Sequence, residues 1–103
     1  MENKFNIIYL PKANSDITEI IDYMLDEVKS PTAAKLFLNN LDKKLSIVAT
    51  QPYSGAIYKN SPKFQYEYRM IFVGNYTVFY VVLNNIIEIH RVIYSSRNIS
   101  ELI

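Results

Sequence analysis

The residues best equipped for chemistry lie in the second half of this chain. There is a single histidine, His90, and all three arginines (Arg69, Arg91, Arg97) fall beyond residue 50. An imidazole with an ordinary pKa near ~6.5 serves as general base or general acid at neutral pH. Arginine makes bidentate contacts to phosphate or carboxylate. Each has a plainer reading. A lone histidine in an apolar strand is commonly a half-buried, hydrogen-bonded residue, and three arginines can simply solubilise a sheet. Tyr53, Tyr58, Tyr66 and Tyr68 can stack on bases, although aromatics on a sheet are more often packing. Arg69 and Arg91 are expected to pair with Glu67 or to cap a helix C-terminus rather than to touch a partner.

Composition removes several classes of function. The chain has no cysteine, so it has no disulfide framework, thiolate metal site or cysteine nucleophile. The same absence fits a reducing compartment. The net charge is +1 over 103 residues, so no global field drives the protein onto nucleic acid. Charge is uneven: residues 1–50 carry six lysines against seven acids, and residues 51–103 carry five basic residues against three acids. No apolar run reaches membrane-spanning length, and the start MENKFNIIYL lacks the apolar core and cleavage site of a signal peptide. The expectation is one domain over residues 1–103, cytoplasmic, without a membrane partner, cofactor or metal. Half the residues are apolar, which suffices for a core at this size.

Periodicity then gives the elements that position these residues. FNIIYL (5–10) reads as a short buried strand ended by Pro11. Ile17, Ile20, Ile21, Met24 and Val28 follow helical spacing, which predicts a helix from about Ser15 to Val28 with Asp16 and Glu19 in its first turn. Ser30-Pro31 is a cap followed by a proline suited to the first helical position. The second helix runs to about Thr50 on the stripe Ala34, Phe37, Leu41, Leu45, Val48. Residues 51–62 read as a loop. The period then becomes two. Strands are predicted over Phe64–Val73, Tyr76–Leu83 and Ile86–Tyr94, joined by Gly74-Asn75 and Asn84-Asn85, both suited to two-residue hairpin turns. The fold class is α+β: an N-terminal strand, a two-helix hairpin, then a three-stranded antiparallel meander.

Hairpin register assigns the faces. If Val73 opposes Tyr76, Met70 opposes Phe79; if Leu83 opposes Ile86, Phe79 opposes His90. Tyr66, Tyr68, Met70, Phe72, Thr77, Phe79, Val81, Glu88, His90, Val92 and Tyr94 then share one face. Glu67, Arg69, Ile71, Val73, Tyr76, Val78, Tyr80, Val82, Ile87, Ile89, Arg91 and Ile93 share the other. The second set is richer in β-branched aliphatics and is expected under the helices. The first, aromatic set would be open, and an open apolar patch usually marks a partner site. A one-residue bulge would swap the assignments. An exposed edge strand, 5–10 or 86–94, could accept a strand from a partner.

The strings YRMIFVGNYTVFYVV and IHRVIYSSRN resemble the C-terminal half of RelE/ParE-family toxins (plasmid stabilisation proteins) of type II toxin–antitoxin systems. Arg69, Val73-Gly74-Asn75-Tyr76, Phe79-Tyr80, Arg91-Val92 and Arg97 carry the match. Ala33-Ala34, Pro52 with Tyr53-Ser54-Gly55, and the order of elements extend it over nearly the whole chain. The resemblance implies a growth-inhibiting toxin neutralised by a cognate antitoxin, whose C-terminal segment wraps it in a toxin–antitoxin hetero-oligomer. It also implies one of two targets. ParE-like members poison DNA gyrase; RelE-like members cleave mRNA on the ribosome as metal-independent endonucleases.

Departures from the family pattern favour the ParE-like branch. RelE-type members carry basic residues on the open face, where this chain has Met70, Phe72 and Thr77. Tyr94 stands at the family's histidine position, with Ser96 and Asn98 at its following basic and acidic positions. For RNA cleavage there remain His90 as base or acid, Tyr94 four residues on and hence on the same strand face, and Arg97 to stabilise charge at phosphorus. Met70, Phe72, Phe79, Tyr94 and Arg97 are the expected partner-binding residues. Two alternatives stay open: an inactive, degenerate toxin, and a binding module of the same fold. The toxin reading predicts a small open reading frame beside this gene encoding a DNA-binding antitoxin. Its absence from the locus would count against the assignment.

Overall fold

The computed structural model describes residues 4–58 and 66–96. Its elements are β1 (Asn6–Tyr9), α1 (Pro11–Asp26), α2 (Pro31–Thr50), β2 (Ala56–Ile57), β3 (Arg69–Val73), β4 (Tyr76–Leu83) and β5 (Ile86–Tyr94). The α+β class and the order of the expected elements hold. Among the described residues no helix is long and apolar enough to cross a membrane.

The helical hairpin follows its local chemistry. Helix α2 starts as predicted: Ser30 is extended, its Oγ accepts the Ala33 amide at 3.1 Å, and Pro31 takes the first turn. Helix α1 begins four residues earlier than predicted. Pro11 does not only end the strand. Its fixed φ opens the helix directly from Leu10, whose carbonyl accepts the Asn14 amide. Asp16 and Glu19 therefore lie beyond the first turn and are not capping acids. Between the helices Lys29 adopts φ +58°, which lets the Ser30 amide reach the Met24 carbonyl at 2.9 Å and closes the end of α1.

The sheet has five strands in the order β1-β5-β4-β3-β2. Both predicted hairpins are present, with Gly74 and Asn84 at positive φ in the two-residue turns. The N-terminal strand lies parallel to the last, Asn6 beside Ile86 through Tyr9 beside Ile89. It is therefore an edge with exposed and half-buried residues alternating, not a buried strand. Covered on one side by β1 and on the other by β4, β5 is interior, so only the first of the two expected edges is one. The expected loop 51–62 holds a second edge, β2, pairing Ala56 with Met70 and Ile57 with Arg69. β3 starts at Arg69, later than predicted; Phe64 and Gln65 lie outside the described residues.

The register of β3 on β4 is the predicted one, Met70 opposite Phe79. That of β4 on β5 holds from Leu83–Ile86 to Tyr80–Ile89 and then shifts, because Phe79 pairs with Arg91 rather than His90. His90 is the extra residue of a β-bulge. Beyond it the faces exchange. Val92 joins the core under the helices, with Phe37, Leu41, Leu45, Val48, Val78, Tyr80, Ile87 and Ile89. Ile93 joins Tyr68, Phe79 and Val81 on the opposite face. The sequence assignment of Val92, Ile93 and Tyr94 is thereby reversed.

One buried hydroxyl ties β2 to the rest of the sheet. Tyr80 is fully buried; its hydroxyl donates to the Pro52 carbonyl at 2.8 Å and accepts the Gly55 amide at 3.0 Å. Burial pushes this phenol's pKa up, against the lowering effects of the Gly55 bond, Arg69 and Ser54, so it remains a donor. Gly55 has no space for a side chain. A Cβ there would lie 2.8 Å from the Met70 carbonyl and 2.9 Å from the Tyr80 ring. Tyr80→Phe should cost about 1–3 kcal/mol by leaving both backbone groups without this partner. Gly55→Ala should cost a similar ~1–3 kcal/mol by overpacking. Urea denaturation checks both; wild-type midpoints would refute the role given to this hydroxyl.

Candidate functional site

Two arrangements of polar and aromatic side chains stand out, one on each face of the sheet. On the face away from the helices, Tyr68, Phe79, Val81 and Ile93 form a small core, with Tyr58 and Met70 against it. This face is less open than its composition suggests. Phe79 is 0% exposed, with the Tyr58 ring edge-on to it at 5.5 Å.

His90 projects onto this same face from the bulge. Its Nε2 lies 3.1 Å from Glu88 Oε1 and its Nδ1 3.1 Å from the Tyr68 hydroxyl. The rings of Tyr66 and Tyr68 meet it edge-on at 5.4 and 5.1 Å. Burial raises the Tyr68 pKa, with Tyr66 and Glu88 adding to the rise, so its phenol keeps its proton. A neutral His90 can then accept from Tyr68 at Nδ1 and donate from Nε2 to Glu88, which occupies both ring nitrogens. The half-buried, hydrogen-bonded reading of this histidine describes its setting.

The other expected site residues are dispersed. Tyr94 is on the helix side of the sheet, 45% exposed, with its ring 5.6 Å from that of Tyr76. The bulge thus places Tyr94 and His90 on opposite faces, although four residues apart on a regular strand would put them on one. Phe72 is 51% exposed near the free end of β3, while Met70 is half-buried beside Phe79. Phe79 itself offers no surface to a partner. Thr77 is buried, with its hydroxyl 2.8 Å from that of Ser95. Arg97 lies outside the described residues.

The other two arginines are held inside the protein. Arg69 donates to the carbonyls of Tyr53 and Gly55, pairs with Glu67 as expected at 3.2 Å, and lies over the Tyr53 ring. Arg91 meets Asp16 end to end, Nε to Oδ2 at 2.7 Å and Nη2 to Oδ1 at 2.9 Å. Asp16 Oδ2 also accepts the Val92 amide at 2.9 Å. The Asp16 hydrogen bond raises the Arg91 pKa against the effect of burial, and the charges of Asp16 and Glu19 add to the rise. Asp16 is the residue that sequence reasoning missed. The signal was present: Ala13, Asp16, Ile17 and Ile20 share one helix face, and an acid on an apolar stripe is seldom buried without a partner.

Beside this pair runs an open groove of about 470 Å3 between α1 and the end of β5, lined by Asp16, Glu19, Ile20, Tyr23, Tyr76, Arg91, Val92, Ile93 and Tyr94. Its tyrosines come from three elements, Tyr23 on α1, Tyr76 on β4 and Tyr94 on β5.

The ion pair gives the clearest energetic expectation. The two side chains are 11% and 14% exposed, so removing one strands the other in a largely dry site. Asp16→Ala should destabilise by about 3 kcal/mol or more, and hydrogen exchange of the Val92 amide should accelerate. Loss of less than about 1 kcal/mol, the range of exposed pairs, would contradict this account.

Comparison with known proteins gives a consistent result. The family model described as the ParE toxin of the type II toxin–antitoxin system parDE matches residues 7–99. A solved chain from a structure titled "Chromosomal ParDE TA system from P. aeruginosa" superposes with a TM-score of 0.70 at 15% identity, over 89% of this chain and 97% of that one. No curated protein matches by sequence.

Proposed function

We propose that this chain, which belongs to the ParE toxin family of type II toxin–antitoxin systems, arrests growth by inhibiting DNA gyrase and is held inactive by a cognate antitoxin. Membership over residues 7–99 brings the antitoxin with it as a partner. The choice of gyrase over mRNA rests chiefly on one observation: His90 and Tyr94 are on opposite faces of the sheet.

Metal-independent RNA cleavage needs a base, an acid and charge stabilisation converging on one phosphate. Here the imidazole is engaged by Glu88 and Tyr68 on one face, and the Tyr94 ring lies against Tyr76 on the other. Positions 70, 72 and 77 bring no cation, and Thr77 is buried. Arg69 and Arg91 are turned inward onto carbonyls and carboxylates. A toxin acting by docking onto a target protein needs none of the missing groups.

The test separates the two targets. Purified protein is added to gyrase with supercoiled DNA and, separately, to a translating extract. The expected result is trapped gyrase–DNA cleavage complexes, or loss of supercoiling, with intact mRNA. His90→Gln should leave growth arrest unchanged. Codon-phased mRNA cuts that disappear in His90→Gln would overturn the proposal.

A further inference from the structure

Three tyrosines shape the groove between α1 and the end of β5. The rings of Tyr76 and Tyr94 meet edge-on, with centroids 5.6 Å apart and planes at 73°, so they form two walls at a steep angle. Tyr23 comes from the helical side and is 55% exposed. Burial raises the Tyr76 pKa, with Tyr23 and Tyr94 adding to the rise, so this phenol stays neutral. The face of a neutral phenol ring is the negative side of its quadrupole, and it attracts a cation within about 6 Å of the centroid.

The charged lining is Asp16, Glu19 and Arg91. Asp16 and Arg91 engage each other through two hydrogen bonds, so their charges offset. Glu19 is exposed and has no ion-pair partner among the described residues. The groove thus carries one uncompensated negative charge. Lys12 lies on the same side of α1, but two turns earlier, about 10 Å along the axis, and outside the lining. Asp22 and Asp26 continue that side three and seven positions after Glu19. The surroundings therefore do not reverse the sign.

This combination selects among ligands. A nucleotide, or any other phosphate, is repelled by the uncompensated carboxylate. A neutral apolar molecule gains nothing from Glu19. An organic ammonium ion gains from both the ring faces and the carboxylate. The volume of about 470 Å3 is of the size that takes small ligands.

We infer that the α1–β5 groove binds a small organic cation of the alkylammonium class, a quaternary amine or a polyamine. Tyr23, Tyr76 and Tyr94 surround the cationic group, and Glu19 neutralises it. The Asp16–Arg91 pair fixes the distance between α1 and β5, and so the spacing of the aromatic walls. A ligand in contact with both elements stabilises the folded chain by mass action. None of this depends on the identity of the toxin's target.

The test titrates the full chain with tetramethylammonium chloride and, separately, with spermidine. NMR follows the Tyr23 and Tyr94 ring signals and the Val92 amide. Sodium chloride at equal ionic strength controls for screening, and tert-butanol supplies a neutral molecule of similar shape. Both amines should give saturable shifts at all three positions in the millimolar range, and should raise the Tm. Tyr23→Ala should weaken binding about 5-fold. Tyr23→Phe, which keeps the ring face, should bind as wild type. Glu19→Gln should weaken binding about 3-fold. Asp42→Asn, which removes a carboxylate of α2 outside the groove, should leave it unchanged. Equal shifts with tert-butanol would reduce the groove to an apolar hollow and overturn the proposal. So would equal shifts with sodium chloride, wild-type affinity in both Tyr23→Ala and Glu19→Gln, or no saturable shift with either amine.

Discussion

The Asp16 carboxylate is the point at which the two halves of this molecule meet. Strand β1 covers β5 only as far as Ile89, because Pro11 turns the chain into α1. From there β5 lacks a neighbouring strand on that side, and its Val92 amide needs another acceptor. Asp16 supplies one from the helix, 76 residues away in sequence. A buried carboxylate would be costly alone, and the Arg91 guanidinium meets both of its oxygens. Three requirements close on one another: an amide without a strand partner, an acid on an apolar stripe and an arginine inside a sheet. None is stable in its place without the other two.

The bulge at His90 belongs to the same solution. One extra residue rotates the end of β5, so that Val92, opposite Val78, enters the core under the helices while Ile93 crosses to the far face. The rotation also leaves His90 projecting where Tyr68 and Glu88 satisfy both its nitrogens. On the far face the sheet is covered from the other direction. The Tyr80 hydroxyl and Arg69 hold the backbone of residues 52–55, which delivers β2 to the edge of β3. Tyr58 then follows onto Phe79. Residues from two segments thus shield what a bare three-stranded meander would have left open.

Much of this was legible in the sequence where the determinants are local. Ser30-Pro31 caps a helix by its own chemistry, and Gly74-Asn75 and Asn84-Asn85 fix hairpin register between adjacent strands. What was not legible depends on partners far apart in the chain. The parallel pairing of β1 with β5, the two-residue β2 and the start of α1 at Pro11 come from tertiary contacts or from a residue with two plausible roles. The bulge does leave a local mark, which the period-two reading passed over: in IEIHRVIY the alternation of apolar and polar residues breaks at His90-Arg91, and the bonds of Asp16 to Arg91 and Val92 hold the shifted register. Asp16 looked like a helix-dipole acid because the helix was started too late.

The same shift bears on what kind of protein this can be. A regular β5 would have set His90, Val92 and Tyr94 in a row on one face, within reach of a single ligand. With the bulge, the imidazole and the phenol are separated by the thickness of the sheet. The chemistry-bearing residues are thereby divided between a structural hydrogen-bond set on one face and an aromatic groove wall on the other. Returning Tyr94 to the face of His90 would require removing the bulge, and that would carry Val92 out of the core and away from Asp16. The interaction that holds α1 to the sheet is thus the one that keeps these side chains apart. The stability of the contact between α1 and the sheet and the separation of His90 from Tyr94 thus share one residue insertion.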